Sequence, residues 1–100
     1  MSLISVAKAS DLKPGEGKVV KAGGKELALF NVAGQFHAID NACPHRGGPL
    51  GEGSLEGEHI VCPWHGWKFH AKTGANAFSP DFNRQAFKVV VEGDDVKVEI

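Results

Sequence analysis

CPHRGG at residues 43–48 and CPWHGW at 62–67 hold the only two cysteines of this 100-residue chain in matched surroundings. Each stretch places a proline directly after its cysteine, a histidine within three positions and a glycine close behind. Reduced to those positions, the pattern is Cys43-x-His45, then residues 46–61, then Cys62-x-x-His65. Two turns so far apart in sequence are most simply explained by a fold that closes both on one centre. A disulfide between Cys43 and Cys62 is the plain alternative. A reducing compartment works against it, and it leaves the paired histidines unexplained. Two thiolates and two imidazoles also make a tetrahedral zinc set. The nucleic-acid zinc finger, however, takes both cysteines from one element and both histidines from another. Here each turn supplies one of each.

The frame around these turns reads as all-β. Its 13 glycines and 5 prolines separate short β-prone runs, and helical periodicity is scarce. Lys18–Ala22 and Lys25–Val32 flank Gly23–Gly24, a hairpin turn, and VAGQ (32–35) turns the chain into a strand over 36–40. Residues 85–92 and 96–100 predict a second hairpin, with Phe87, Val89 and Val91 on one face. The single helix candidate, residues 5–12, is expected to be strand or turn. Between Cys43 and Trp67 one short strand is expected, at 59–62, and the acidic run GEGSLEGE (51–58) reads as a solvated loop. Glycine and proline crowd this middle region, as they do in loops that carry function.

One hundred residues make one domain. Its expected division is a β base of residues 1–42 and 75–100, with 43–74 inserted as the part that builds the site. Eleven basic side chains against 12 acidic ones leave a net charge of −1, which argues against nucleic acid and anionic membrane. No apolar run approaches the ~20 residues of a spanning helix, and residues 1–15 do not fit a secretory signal. A soluble, cytoplasmic protein is the expectation.

The paired turns resemble the Rieske [2Fe–2S] proteins, and CPHRGGPLGEG and CPWHGWKF are similar to the soluble Rieske-type ferredoxins. That resemblance runs over essentially the whole chain. It implies a Rieske-like antiparallel β-sandwich with a small cluster-binding subdomain inserted as two loops. It also implies one [2Fe–2S] cluster, with Cys43 and Cys62 on one iron and His45 and His65 on the other. Such a site is formally neutral when oxidised, whereas four thiolates would leave a dianion. Adding an electron to the neutral site costs less, by about 250 mV between the low ends of the two classes, on the order of 6 kcal/mol. High-potential relatives carry a second cysteine in each loop, joined as a disulfide, and serine and tyrosine hydroxyls near the sulfurs. Here Gly48 and Trp64, then Trp67 and Phe69, stand at those places, so a potential near the low end is expected. Gly47, Gly48 and Gly66 would let backbone N–H groups approach the cluster, and Pro44 and Pro63 would stiffen the turns.

The implied function is one-electron transfer rather than catalysis. The chain would receive electrons from a flavin-containing ferredoxin reductase and pass them to a terminal oxygenase or similar enzyme, working as a monomer. An oxygenase of its own would need a further domain with a mononuclear iron site. A small subunit of a nitrite-reductase-type complex is the alternative role. Pro49, Leu50, Trp64 and Pro80 are expected to offer an apolar docking patch, Trp64 and Trp67 to cover the cluster, and Pro80 to shield it. His37, His59 and His70 fall outside the ligand spacing. The first two read as surface or edge residues, and His70 as a departure without a role.

Overall fold

A computed structural model describes residues 3–41, 49–63, 66–77 and 83–99. Among these residues, ten antiparallel strands form three sheets. In chain order they are β1 (Leu3–Lys8), β2 (Gly17–Ala22), β3 (Lys25–Val32), β4 (Gln35–Asp40), β5 (Ser54–Glu56), β6 (His59–Val61), β7 (Lys68–His70), β8 (Ala86–Phe87), β9 (Val89–Glu92) and β10 (Asp95–Glu99). Their orders are β1-β10-β9, β2-β3-β4-β8 and β5-β6-β7. The helix candidate at 5–12 divides between β1 and a single 3-10 turn at Ala9–Asp11.

The second sheet is the wall between two cores, and β3 shows why. Leu27 through Asn31 are all buried, so this strand alternates between two apolar faces rather than between core and water. Leu27 and Leu29 point to the first sheet and pack with Val20, Ala38, Val96 and Val98. Ala28 and Phe30 point the other way and pack with Ile39, Leu50, Ile60, Cys62 and Phe69. The result is a β-sandwich whose middle layer carries the third, smaller sheet on its other side. Continuous burial explains why KELALFNV lacks the polar alternation of an ordinary half-exposed strand.

Gly23 and Gly24 close the β2–β3 hairpin with φ of 56° and 80°, and Lys25–Val32 pairs in register with both neighbours. Two sequence expectations are corrected. The strand anticipated over 85–92 is broken at Lys88, because β8 pairs with β4 while β9 pairs with β10. The chain changes sheets there, and the Lys88 carbonyl accepts the Glu99 N–H at 2.9 Å. Val89 and Val91 still share the core-facing side opposite Val98 and Val96, although Val91 lies at the sheet edge and is 45% exposed. The acidic run 51–58 is not a plain loop. It contains part of a 3-10 turn, Leu50–Glu52, and all of β5, so the described residues of 43–67 hold two strands, β5 and β6, where one was expected. β5 escapes notice because its three residues carry one apolar side chain, Leu55, packed against the core.

Candidate metal centre

Cys62 leaves β6 at its C-terminal end and enters a turn closed by two backbone hydrogen bonds. The Cys62 N–H donates to the Trp67 carbonyl at 2.7 Å, and the Gly66 N–H donates to the Cys62 carbonyl at 3.0 Å. The turn thus extends the β6–β7 hairpin, whose last ladder pair is Val61 with Lys68. Gly66 stands at φ +74°, a left-handed conformation that glycine adopts without a Cβ penalty. Cys62 itself is 1% exposed, in the core cluster with Phe30, Leu50, Ile60 and Phe69.

The feet of the first loop are tied beside that cluster. The Asn41 carbonyl accepts the Leu50 N–H at 2.8 Å, its side-chain Oδ1 accepts the Gly51 N–H at 2.7 Å, and its own N–H donates to the Glu26 carbonyl at 3.1 Å. Gly51 has no room for a side chain, since a Cβ would lie 2.7 Å from Val19 Cγ2. A third pair of feet is held nearby. The Ala77 N–H donates to the Lys68 carbonyl at 2.9 Å, and the Asn76 N–H donates to Asn83 Oδ1 at 2.8 Å. Hydrogen bonds and core packing therefore bring the flanks of 42–48, 64–65 and 78–82 to one end of the molecule. Asn41 carries no donor atom in the sequence pattern and was missed for that reason. Its bond to Gly51 reaches ten residues on, beyond the two-residue reach of the Asx turns that a sequence announces.

Of the four expected ligands, Cys62 is described. Cys43, His45 and His65 lie outside the described residues, as do Pro44, Gly47, Gly48, Trp64 and Pro80. Among the described residues, no group of three or more histidine, cysteine, aspartate or glutamate side chains is placed to hold a metal. Trp67, expected as a cover, is half-buried and packs on the cluster around Cys62. Leu50, expected in a surface docking patch, is 0% exposed; it is a core residue because it anchors the returning end of the first loop.

The other histidines gather elsewhere. His59 and His70 are opposed in the β6–β7 ladder, with ring centroids 5.2 Å apart, edge to face. His70 Nδ1 accepts the Lys72 N–H at 3.2 Å, leaving Nε2 towards Glu58 Oε2 at 3.5 Å. So His70 does have a role, in holding the turn beyond β7. Burial holds His37 below the ordinary imidazole range, and Lys72 and His70 add to that while Glu58 opposes it. No helix among the described residues is long and apolar enough to cross a membrane.

Comparison with known proteins agrees with the turns and the fold together. The sequence model of the Rieske [2Fe-2S] domain matches residues 2–96. The ferredoxin component of biphenyl 2,3-dioxygenase from Rhodococcus jostii is 36% identical over 101 residues, covering 100% of this chain and 94% of that protein. A 4beta-methylsterol monooxygenase of Methylococcus capsulatus is 49% identical over 59 residues, 58% of this chain but 16% of the monooxygenase. Among solved structures, a chain in the complex of reduced oxygenase and oxidized ferredoxin in carbazole 1,9a-dioxygenase superposes with a TM-score of 0.86 at 38% identity, covering 96% of this chain and 91% of that one. A chain described as an NADH-dependent nitrite reductase small subunit from Mycobacterium tuberculosis gives a TM-score of 0.90 at 22% identity, covering 97% and 93%, a likeness of fold alone. A family match across nearly the whole chain, joined to a three-sheet β fold that buries Cys62 at the end of a glycine-closed hairpin, means that this protein belongs to the Rieske [2Fe-2S] domain family.

Proposed function

We propose that this chain is a one-electron carrier whose [2Fe–2S] cluster is held by Cys43 and Cys62 on one iron and by His45 and His65 on the other. When bound, the cluster accepts and releases a single electron. The observation that carries the proposal is the setting of Cys62. A thiol at 1% exposure among Phe30, Leu50, Ile60 and Phe69 offers a soft donor in a site from which water is excluded. The loop bearing Cys43 and His45 has both feet pinned by Asn41 to the wall that Leu50 shares with Cys62. That donor set suits iron–sulfur ligation.

The rest of the chain's work is to hold the donors still. The hydrogen bonds between Cys62, Gly66 and Trp67 fix one loop and the Asn41 clip fixes the other, so ligands need move little when the charge changes. Residues 43–74 act in this reading as a cluster-binding unit on a β base of 1–42 and 75–100. The histidine-bearing loop ends are where partners would dock, with Pro49 at the rim; Leu50 supports that edge from within.

The partners follow from the relatives. The biphenyl dioxygenase protein is a ferredoxin component, and the carbazole dioxygenase structure holds a ferredoxin with its oxygenase. By the same role this chain takes electrons from a flavin-containing reductase and delivers them to a terminal oxygenase. It does so as a cytoplasmic monomer, leaving the chemistry on substrate to the oxygenase. The test is a metal and sulfide assay with an EPR spectrum of the dithionite-reduced protein, followed by anaerobic mixing with an oxidised oxygenase. Iron and labile sulfide in equal amounts, an average g below that of an all-cysteine cluster, and one electron delivered per chain are expected. Bound zinc, or no labile sulfide after anaerobic reconstitution, overturns the proposal.

A further inference from the structure

A cavity of about 640 Å³ opens between the middle and third sheets, at the end of the β6–β7 hairpin opposite to Cys62. Its size falls within the range of small-molecule sites, about 300–1,000 Å³. The lining has two characters. Val32, Leu55 and Ala71 make an apolar wall, while His37, His70, Lys72 and Glu58 make a polar one. Within the polar wall, among the described residues, His70 Nε2 lies 3.5 Å from Glu58 and its Nδ1 accepts the Lys72 backbone N–H. Among the described residues, the side chains of His37 and Lys72 have no hydrogen-bond or ion-pair partner. A smaller hollow of about 320 Å³ on the other side of these two residues adds a second lysine, Lys88, and no carboxylate.

The titratable groups that act on His37 are Lys72 and His70, which oppose its protonation, and Glu58, which favours it; Lys88 lines the neighbouring hollow. Glu58 lies nearest His70, at 3.5 Å, and its side chain is 74% exposed, so water weakens its pull on the cavity. An uncompensated positive corner beside an apolar wall favours a ligand that is negative at one end and apolar at the other. A phosphate dianion is a poorer match, because only Lys72 among the cavity's own groups carries a permanent positive charge. A cation would meet the same repulsion that His37 meets. We propose that this cavity binds a small organic monocarboxylate, its carboxylate between Lys72 and His37 and its apolar body against Val32, Leu55 and Ala71. Such a ligand bridges β4 to the turn after β7 and so ties the middle sheet to the sheet that carries Cys62.

Binding draws a proton to His37. The free imidazole is held below its ordinary range by burial and by Lys72, and a carboxylate alongside it raises it again. Affinity consequently falls as the pH rises through the range in which the bound imidazole loses its proton.

The test uses the intact, cluster-loaded chain and follows the His37 ring protons by NMR during titration with benzoate. Benzamide serves as the neutral isostere and inorganic phosphate as the anion without an apolar body. Saturable shifts at His37 and Ala71 with benzoate are expected, about fivefold or more weaker at pH 8 than at pH 6. Lys72→Met and His37→Gln should each weaken benzoate about tenfold, with the visible spectrum reporting that the fold is retained. Benzamide or phosphate binding as tightly as benzoate overturns the proposal. So does an unchanged affinity in both variants, or a His37 signal that does not move.

Discussion

Asn41 and Gly51 are joined by a hydrogen bond of 2.7 Å, from the Gly51 N–H to the Asn41 Oδ1, that closes the chain on itself around the segment bearing Cys43 and His45. Asn41 is buried, so the bond has no competition from water. Replacing it with alanine strands the Gly51 N–H and should cost about 1–3 kcal/mol of stability. The cluster's visible absorbance should also bleach faster in urea than in the parent. Equal bleaching rates in the two proteins would show that the clip does not support the site.

Gly74 combines a left-handed backbone, φ +77°, with a Cβ position that would overlap the Arg84 carbonyl oxygen, two residues ahead of β8. Gly74→Ala should therefore lose about 2–4 kcal/mol, from backbone strain and steric overlap together. Gly57 has a similar φ, +64°, and open space around it. Gly57→Ala should lose about 1–2 kcal/mol. Urea midpoints of the two variants measure the overlap by difference, and equal losses would remove it from the account.

Acidification should weaken the fold through His37. Its folded pKa lies below the ordinary 6.5, with burial the largest cause. Between that lowered value and 6.5 the unfolded chain binds more protons than the native one, so stability rises with pH across the window. The contribution is whole above about pH 6.5, falls as the pH drops through the window and levels off below it. Urea midpoints at pH 7.5 and 5 should differ less in His37→Gln than in the parent.

The proposed histidine ligation predicts the response to its removal. His65→Cys replaces a neutral ligand with an anionic one, and the reduced protein should lose the low average g or lose its cluster altogether. Retention of the parent EPR spectrum in both His45→Cys and His65→Cys would place the nitrogen ligands elsewhere.

The midpoint potential should lie below zero, towards the lower end near about −150 mV, because the resemblance puts Trp67 and Phe69 at the positions where high-potential relatives carry hydroxyl donors. Phe69 is fully buried and Trp67 packs on the same cluster as Cys62, which leaves no side-chain hydroxyl at either position. Protein-film voltammetry gives the value directly, and a midpoint well above zero would contradict the assignment.

Much of this was legible from local chemistry. Gly23–Gly24 marked a hairpin that the register confirms, and the fold class followed from short β-prone runs between turns. What stayed hidden depended on partners distant in sequence. The break at Lys88 reflects two strands choosing different sheets, and QAFKVVVE carries no glycine or proline to announce it. Leu50 looked like a surface residue beside Pro49, yet its hydrogen bond to Asn41 turns it into the core. Asn41 and the His37 cavity were invisible because neither has a spacing of its own, and each exists only once β4 lies beside another layer. Among the expected ligands, Cys62 was the one whose setting the described residues display.

Because Leu27 to Asn31 serve as the partition for both interiors, each half of the molecule loses packing partners when the other opens. Amide protons of Ala28, Leu29 and Phe30 should be the last to exchange with deuterium, at a rate set by global opening. Losing the inorganic cargo would then leave this partition folded, so that an emptied chain keeps a template on which reassembly can begin.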